Sequence, residues 1–332
     1  MGYKIVNIDK ESQLDDWLAF RFNGIGGSEI GTMMGVNPWK SAVELYYQKI
    51  GDFDPKVDYN TPMFMGNVLE PVVADLFEYW DDGDNLITNY ASGLKQRKLY
   101  EVQGYVLNDD YPGMFFSPDR IVHTKPLKRK DKLIQKNVEQ IVEIKTISNW
   151  SAKQWESGLP PSYYLQLQTY LMGLDCDEGY IVSLKDGRDL DVIYIERNRE
   201  VGEMIWDTFK NFWERVQYGR QAIQEKEDIH QFAPDADGTQ SLEKFLSTKY
   251  KNPEENTIQA TDEVIQWASE HLELVEEGKE IEREVRERAN KIKSYMKDFT
   301  ILDLGNNGRV TWRANSRGNR IFRNLYESKK EG

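Results

Sequence analysis

The chain has 332 residues, 39% of them apolar, 12% aromatic and 30% charged, a composition that excludes a disordered or low-complexity polypeptide. Fifty-six acidic against 43 basic residues give a formal charge of −13, which argues against phosphate binding over the whole surface and leaves that task to locally placed lysine and arginine. One cysteine, Cys176, and three histidines, His123, His230 and His271, exclude a disulfide framework, a structural zinc site and a four-cysteine iron–sulfur cluster, so any bound metal must sit on oxygen, as Mg²⁺, Mn²⁺ and Ca²⁺ prefer. No apolar stretch approaches the ~20 residues of a membrane span. The N-terminus, MGYKIVNIDKESQ, lacks the apolar core of a signal peptide, and the expected compartment is the cytoplasm.

In chain order, residues 9–21 carry Leu14, Trp17 and Leu18, with Phe22 just beyond, at helical spacing, followed by SEIGTMMG and by SAVELYYQKIG, which stops on Gly51. A longer helix is expected from about 61 to 80. Between about 98 and 147 the period becomes that of strands, in KLYEVQGYVL, MFFSPDRIV and VEQIVEIKTI. Pro160-Pro161 opens the helix YYLQLQTYLMGL, and EGYIVSLKDGRDLDVIYIERN reads as two strands turning at Asp186-Gly187. A helix from about 199 to 227 closes an α/β or α+β core. The turn-rich DIHQFAPDADGTQ at 228–240 begins a linker, residues 262–298 form a charged helical arm, and FTILDLGNNGRVTWR predicts a hairpin at Asn307-Gly308. The expected organisation is a core over 1–230, a linker over 231–261, and an arm with a basic hairpin tail over 262–332.

The chemistry concentrates in four places. Glu143 and Lys145, in EIK, share a strand face by two-residue alternation, and Asp119 in SPDR joins them if the two strands pair. Two carboxylates and an ammonium converging at a sheet end can hold a divalent ion and stabilise the charge that develops at phosphorus during phosphodiester hydrolysis. Either motif alone also suits an ordinary turn or a solvated strand. Glu70, inside the apolar NVLEPVVADLF, needs a partner if it is buried, or else marks a solvent-tilted position before Pro71. Gln166 and Tyr170 lie one helical turn apart and share a face, so the amide can serve a metal site or simply pack. Arg21, the GIGG turn at 24–27 and Ser28 heading a helix make a phosphate socket, or an ordinary cap with a surface arginine.

These stations, read as RFNGIGGSEIGTMMGVNPWKSAVELYYQKIG, MGNVLEP, FFSPDRIV, VEIKT and YYLQLQTYLMG, closely resemble the YqaJ-type viral recombinase family, phage lambda exonuclease-like members of the PD-(D/E)XK nuclease superfamily. The resemblance spans roughly residues 15–225. It implies a restriction-endonuclease-like core with a central mixed sheet flanked by helices. The implied activity is a Mg²⁺-dependent 5′→3′ double-strand DNA exonuclease, Mn²⁺ substituting, that leaves 3′ single-strand overhangs in phage or prophage recombination within a bacterial host. Carried onto this chain, Asp119, Glu143, the Ile144 carbonyl and Glu70 match metal ligands, Lys145 the catalytic lysine and Gln166 the glutamine of a QxxxY motif whose tyrosine is Tyr170. Arg21, Ser28, Ser117 and Trp17 match positions around the 5′-phosphate. A single-strand annealing protein and a ring-shaped homotrimer are implied as partners.

The segment from about 240 lies outside that resemblance. Its end carries five arginines and no acid from Arg309 to Arg323, with Trp312 and Phe322 interleaved, and a second basic run, KPLKRKDKLIQK, joins the catalytic strands at 125–136. Two rivals remain at this level: a structure- or site-selective endonuclease on the same core, and a non-catalytic DNA-binding recombination module. Clustered carboxylates repel phosphate and so oppose the second.

Overall fold

A computed structural model describes residues 2–8, 14–53, 60–83, 85–102, 104–123, 138–148, 155, 158–252 and 255–325. The chain divides into two units, Met1–Asn252 and Pro253–Gly332. The first begins with β1 (Tyr3–Val6), α1 (Leu14–Arg21), the two-residue β2 (Ile25–Gly26), α2 (Gly27–Met33) and α3 (Ala42–Ile50). Then come α4 (Thr61–Tyr79), α5 (Leu86–Ser92), β3 (Leu99–Glu101), β4 (Tyr105–Asn108), β5 (Met114–Phe115) and β6 (Arg120–Val122). It ends with β7 (Gln140–Ile147), α6 (Pro161–Gly173), β8 (Glu178–Lys185), β9 (Asp189–Glu196), α7 (Arg199–Glu225) and α8 (Gln240–Lys249).

The boundaries follow local chemistry. Ser41 caps α3 by accepting from Val43 N at 3.1 Å, and Gly51 ends it at φ +86°. Pro161 occupies the first turn of α6, where its missing N–H costs nothing. Asp186 and Gly187 both take positive φ at the β8–β9 turn, as that dipeptide predicts.

The central sheet has the order β3-β6-β7-β8-β9, with β7 and β8 parallel and the other pairs antiparallel. A parallel pair needs a crossover, and α6 supplies it. Alternation along the strands then builds two apolar layers: Ile141 and Ile181 pack with Leu167 of α6 in the main core, while Val142, Ile144, Val182 and Leu184 pack with Val73 and Phe77 of α4. This is the mixed sheet flanked by helices that the resemblance implies. α2 lies close against α6 because two glycines face it: a Cβ on Gly27 would come within 2.4 Å of the Tyr170 ring, and one on Gly31 within 2.7 Å of Ser162 Cβ.

Two expectations change. The stretch 231–261 is no simple linker, because α8 buries Leu242 and Phe245, the latter against Tyr47 and Phe53, so the first unit runs to Asn252. Turn-rich residues before 240 mask a short amphipathic helix whose apolar side the core needs. In the second unit α9 (Asp262–Met296) is the expected long helix, but the hairpin gains a strand: β10 (Ile301–Asp303), β11 (Arg309–Ala314) and β12 (Arg320–Leu325) pair antiparallel in that order. The basic run at 125–136 and the expected first residues of α1, 9–13, lie outside the described residues.

Gly31→Val should force α2 and α6 apart, since Ser162 Cα also stands only 3.0 Å from the added carbon. Overpacking of this kind costs about 1–3 kcal/mol, to be measured by denaturant unfolding against wild type.

Candidate active site

The β6–β7 register pairs Arg120 with Val142, which carries Asp119, just before β6, opposite Glu143. Asp119 Oδ2 accepts from Ile144 N at 2.7 Å. A strand residue directs its N–H and C=O to the same side, so the Ile144 carbonyl also points past the end of β6 towards Asp119. Glu143 lies on the α6 side of the sheet, buried. Its Oε1 accepts from Lys145 Nζ at 2.6 Å and from Gln166 Nε2 at 2.6 Å. Lys145 Nζ also sits 5.1 Å from the centre of the Tyr163 ring, and Gln166 Nε2 lies 3.3 Å from Tyr170 Oη. Among the described residues, Glu143 Oε2 is buried without a hydrogen-bond partner.

The electrostatics of this group are unbalanced towards negative charge. Loss of hydration, then the charge of Glu143, pushes Asp119 up to about 7, and Lys145, the Ile144 N–H and Arg120 offset this only in part. Burial also raises Glu143; Lys145 opposes the shift and the charge of Glu70 adds to it. For Lys145, burial disfavours the ammonium, but Glu143 and Asp119 outweigh it and hold the group above its ordinary value. Tyr170 is raised well above the phenol range by burial and then by Glu143, so its hydroxyl stays protonated.

Two carboxylates that resist ionisation, with one buried oxygen left without a donor, suit a cation better than they suit each other. A divalent ion on Asp119, Glu143 Oε2 and the Ile144 carbonyl fits that donor set, all oxygen and hard. Glu70 is held by Arg120, and its charge still reaches Glu143. Glu70 Oε1 accepts from Arg120 Nη1 at 2.8 Å, and the same nitrogen donates to the Asp119 carbonyl at 2.6 Å. The physical reason is the face: α4 packs on the Val142–Ile144 side of the sheet, away from α6, where Arg120 is the nearer counter-charge. Among the described residues no three His, Cys, Asp or Glu side chains converge on one ion-sized space.

The second cluster centres on an acid that the sequence reading missed. Glu29 is buried on α2; its Oε2 accepts from Lys49 Nζ and from Gly26 N, both at 3.0 Å, and its Oε1 lies 3.2 Å from Arg21. Burial opposes the carboxylate, yet Arg21 and Lys49 outweigh it and hold Glu29 down to about 2. Lys49 is pushed down to about 8, mainly by burial. Arg21 donates to Ser28 Oγ at 3.2 Å and stacks 4.7 Å from the centre of the Trp17 ring, which in turn lies 5.7 Å from that of Tyr105. Arg21 keeps 22% of its side chain exposed while Glu29, Ser28 and Trp17 hold it in place. Ser117 is differently engaged: its hydroxyl donates to the Gly104 carbonyl at 2.8 Å, which fixes that loop. Two signals for Glu29 and Lys49 were present in the sequence, a glutamate three residues after a Gly N-cap and a lone lysine among apolar residues in LYYQKI.

Tyr170 connects the clusters, its hydroxyl at Gln166 and its ring against Gly27. A cavity of about 830 Å³ beside Arg97, His123 and Tyr180 lies at the other end of β6 and β7 and contains none of these residues.

Residues 16–176 match the model of the YqaJ-like viral recombinase domain. The chain is 28% identical over 302 residues to the protein YqaJ of Bacillus subtilis (strain 168), covering 90% of this chain and 83% of that one. Among solved structures it is similar to the alkaline exonuclease LHK-Exo from Laribacter hongkongensis, at 20% identity and a TM-score of 0.46 over 64% of this chain and 97% of that one. It is also similar to a phage related exonuclease from Haemophilus somnus 129PT, at 15% identity and a TM-score of 0.40 over 61% and 96%.

An acid raised to about 7 in the fold but near 3.8 when unfolded stabilises the fold at low pH, and that stabilisation is lost as pH rises from about 4 to about 7. In chelator, the thermal midpoint should therefore fall over this interval. Asp119→Asn should flatten the fall while keeping an acceptor for Ile144 N, and a divalent ion should raise the midpoint of wild type above pH 7 but not that of the variant.

Proposed function

The chain belongs to the YqaJ-like viral recombinase family, and from that premise we propose that it is a divalent-metal-dependent DNA exonuclease of phage or prophage recombination. The reading is of Mg²⁺ as the working ion, with Mn²⁺ able to replace it, and of 5′→3′ degradation of one strand of a duplex. The observation that carries it is Glu143: a buried carboxylate held on one oxygen by Lys145 and Gln166, with the other oxygen unpartnered beside Asp119.

Asp119, Glu143 and the Ile144 carbonyl would hold the ion, which when bound supplies Lewis-acid activation of the scissile phosphodiester and of water. Lys145 stays protonated, presents a fixed positive charge beside the reacting phosphoryl group, and stabilises the negative charge that grows there. Gln166 fixes the rotamer of Glu143, and Tyr163 shields the Lys145 ammonium from one side. Arg21 and Ser28 take the 5′-phosphate of the strand being shortened. Glu29 and Lys49 keep the guanidinium aimed, and Trp17 fills the space behind it. The strand left behind is a 3′ overhang, the substrate of a single-strand annealing protein. A ring of three subunits around the duplex in the bacterial cytoplasm completes the proposal.

The direct test is to incubate the protein with linear duplexes ending in 5′-phosphate or 5′-hydroxyl and with covalently closed duplex, with and without Mg²⁺. Metal-dependent loss of nucleotides from 5′ ends, faster with phosphate and absent on closed DNA, is the expected result. Cutting of closed DNA would instead identify an endonuclease. Lys145→Ala should lower the rate on the order of 10²-fold or more without changing duplex binding in chelator. Arg21→Ala should abolish the difference between 5′-phosphate and 5′-hydroxyl ends; equal slowing on both would remove Arg21 from the phosphate socket.

A further inference from the structure

The second unit ends in the antiparallel sheet β10-β11-β12, whose two faces differ sharply. Cross-strand partners share a face, so the pairs Thr311 with Arg323 and Arg313 with Ile321, together with Arg309, form one side. On that side Arg309, Arg313, Arg323, Ile301 and Ile321 are exposed. The other side is occupied: Val310 is buried, Lys293 of α9 stacks on Phe322, and Arg320 covers Trp312 with its guanidinium 3.6 Å from the ring centre. Arg320 is also consumed as a donor, to the carbonyls of Lys297, Phe299 and Trp312. Both Trp312 and Phe322 thus belong to the packed side.

Arg309, Arg313 and Arg323 make no ion pair among the described residues, and Asp303, the acid across from Arg309, instead accepts from Gly305 N. From Arg309 to Arg313 the strand advances about 13 Å, with Arg323 midway on the neighbouring strand. That length matches roughly four base-pair steps of duplex, a stretch carrying about eight phosphates. Arg317 stands exposed in the hairpin turn and extends the row.

We propose that this arginine face is a second DNA-binding site, separate from the catalytic carboxylates, that takes the phosphate backbone of duplex DNA without regard to sequence. The choice of duplex follows from what the face contains: three arginines, Ile301, Ile321 and Thr311, with one acid, Asp303, at its edge beside Arg309, and no aromatic platform on which an unpaired base could stack. In a chain of net charge −13 such a local patch concentrates the attraction on one surface. The inference rests on the reading of DNA as the substrate and extends it to how the duplex is retained between cuts.

The test uses the full chain in chelator with a fluorescent duplex closed at both ends by hairpins, which removes the end-binding socket from the measurement. Binding is followed by anisotropy across a salt series. Replacing Arg309, Arg313 and Arg323 together by alanine should lower the log–log salt slope by up to about 2.7, at about 0.9 per lost phosphate contact, and weaken binding at least tenfold at moderate salt. Replacing all three by lysine should preserve most of the slope. The Mg²⁺-dependent rate on saturating linear duplex should stay as in wild type, since none of the three touches the reacting atoms.

An unchanged slope in the alanine variant overturns the proposal, as does a lysine variant that loses as much as alanine. If the alanine variant fails to fold, Arg313→Glu alone should still weaken binding, and no weakening there overturns it equally. Tighter binding of a single strand than of the duplex, lost on replacing the arginines, refutes the duplex assignment. A wild-type chain that neither binds nor cuts DNA sinks the nuclease reading itself, whereas one that cuts while the slope stays fixed sinks only this site.

Discussion

Everything at the site depends on how one buried carboxylate is balanced. Glu143 is placed under α6 by the strand alternation that also buries Ile141, so it cannot reach solvent without breaking the sheet. Lys145 and Gln166 satisfy one of its oxygens and leave the other empty-handed next to Asp119. A protein that only needed stability would gain by replacing such a group with a hydrocarbon side chain of similar volume. Retaining it means accepting two acids that resist ionisation in the metal-free fold, a condition that a divalent cation relieves.

The same problem is solved in the opposite sense at Glu29, distant in sequence but linked to this site through Tyr170. Glu29 is equally buried but has Arg21, Lys49 and the Gly26 N–H around it, so it is fully ionised and closed to further ligands. One acid is thus left short of positive charge and the other has it in excess, and Arg21, still partly exposed, carries the surplus outward. α6 holds both arrangements in register through Gln166 and Tyr170, and the glycines of α2 permit the approach. A side chain at Gly27 would displace Tyr170 and so disturb the acid site and the phosphate socket together.

Period-two alternation made Glu143 and Lys145 legible as face-mates, and the break between apolar strands at SPDR put Asp119 within reach; both follow from local geometry that the sequence carries. The helix after Pro160-Pro161 and the turn at Asp186-Gly187 were legible for the same reason. What escaped depends on distant partners. Glu29 joins residues 21 and 49, and nothing local says that they meet. An acid in an apolar helix needs a partner, and for Glu70 a metal was the expected one; tertiary packing also brings Arg120 to it, which nothing local announces. α8 was hidden by the turn residues before it, and β12 by a density of arginine that reads as a tail until its partner strand is seen.

The central claim is that Asp119 and Glu143 form the seat of a divalent cation, and titration calorimetry with Mn²⁺ measures it without reference to activity. At pH 8 the wild-type chain should bind the ion, with proton release increasing as the pH is lowered towards 7, because Asp119 must ionise to take it. Glu143→Gln, which keeps the shape and a hydrogen-bonding oxygen for Gln166 and Lys145, should lose that binding. Equal affinity in the two proteins would contradict the account and place the metal, and with it the chemistry, elsewhere.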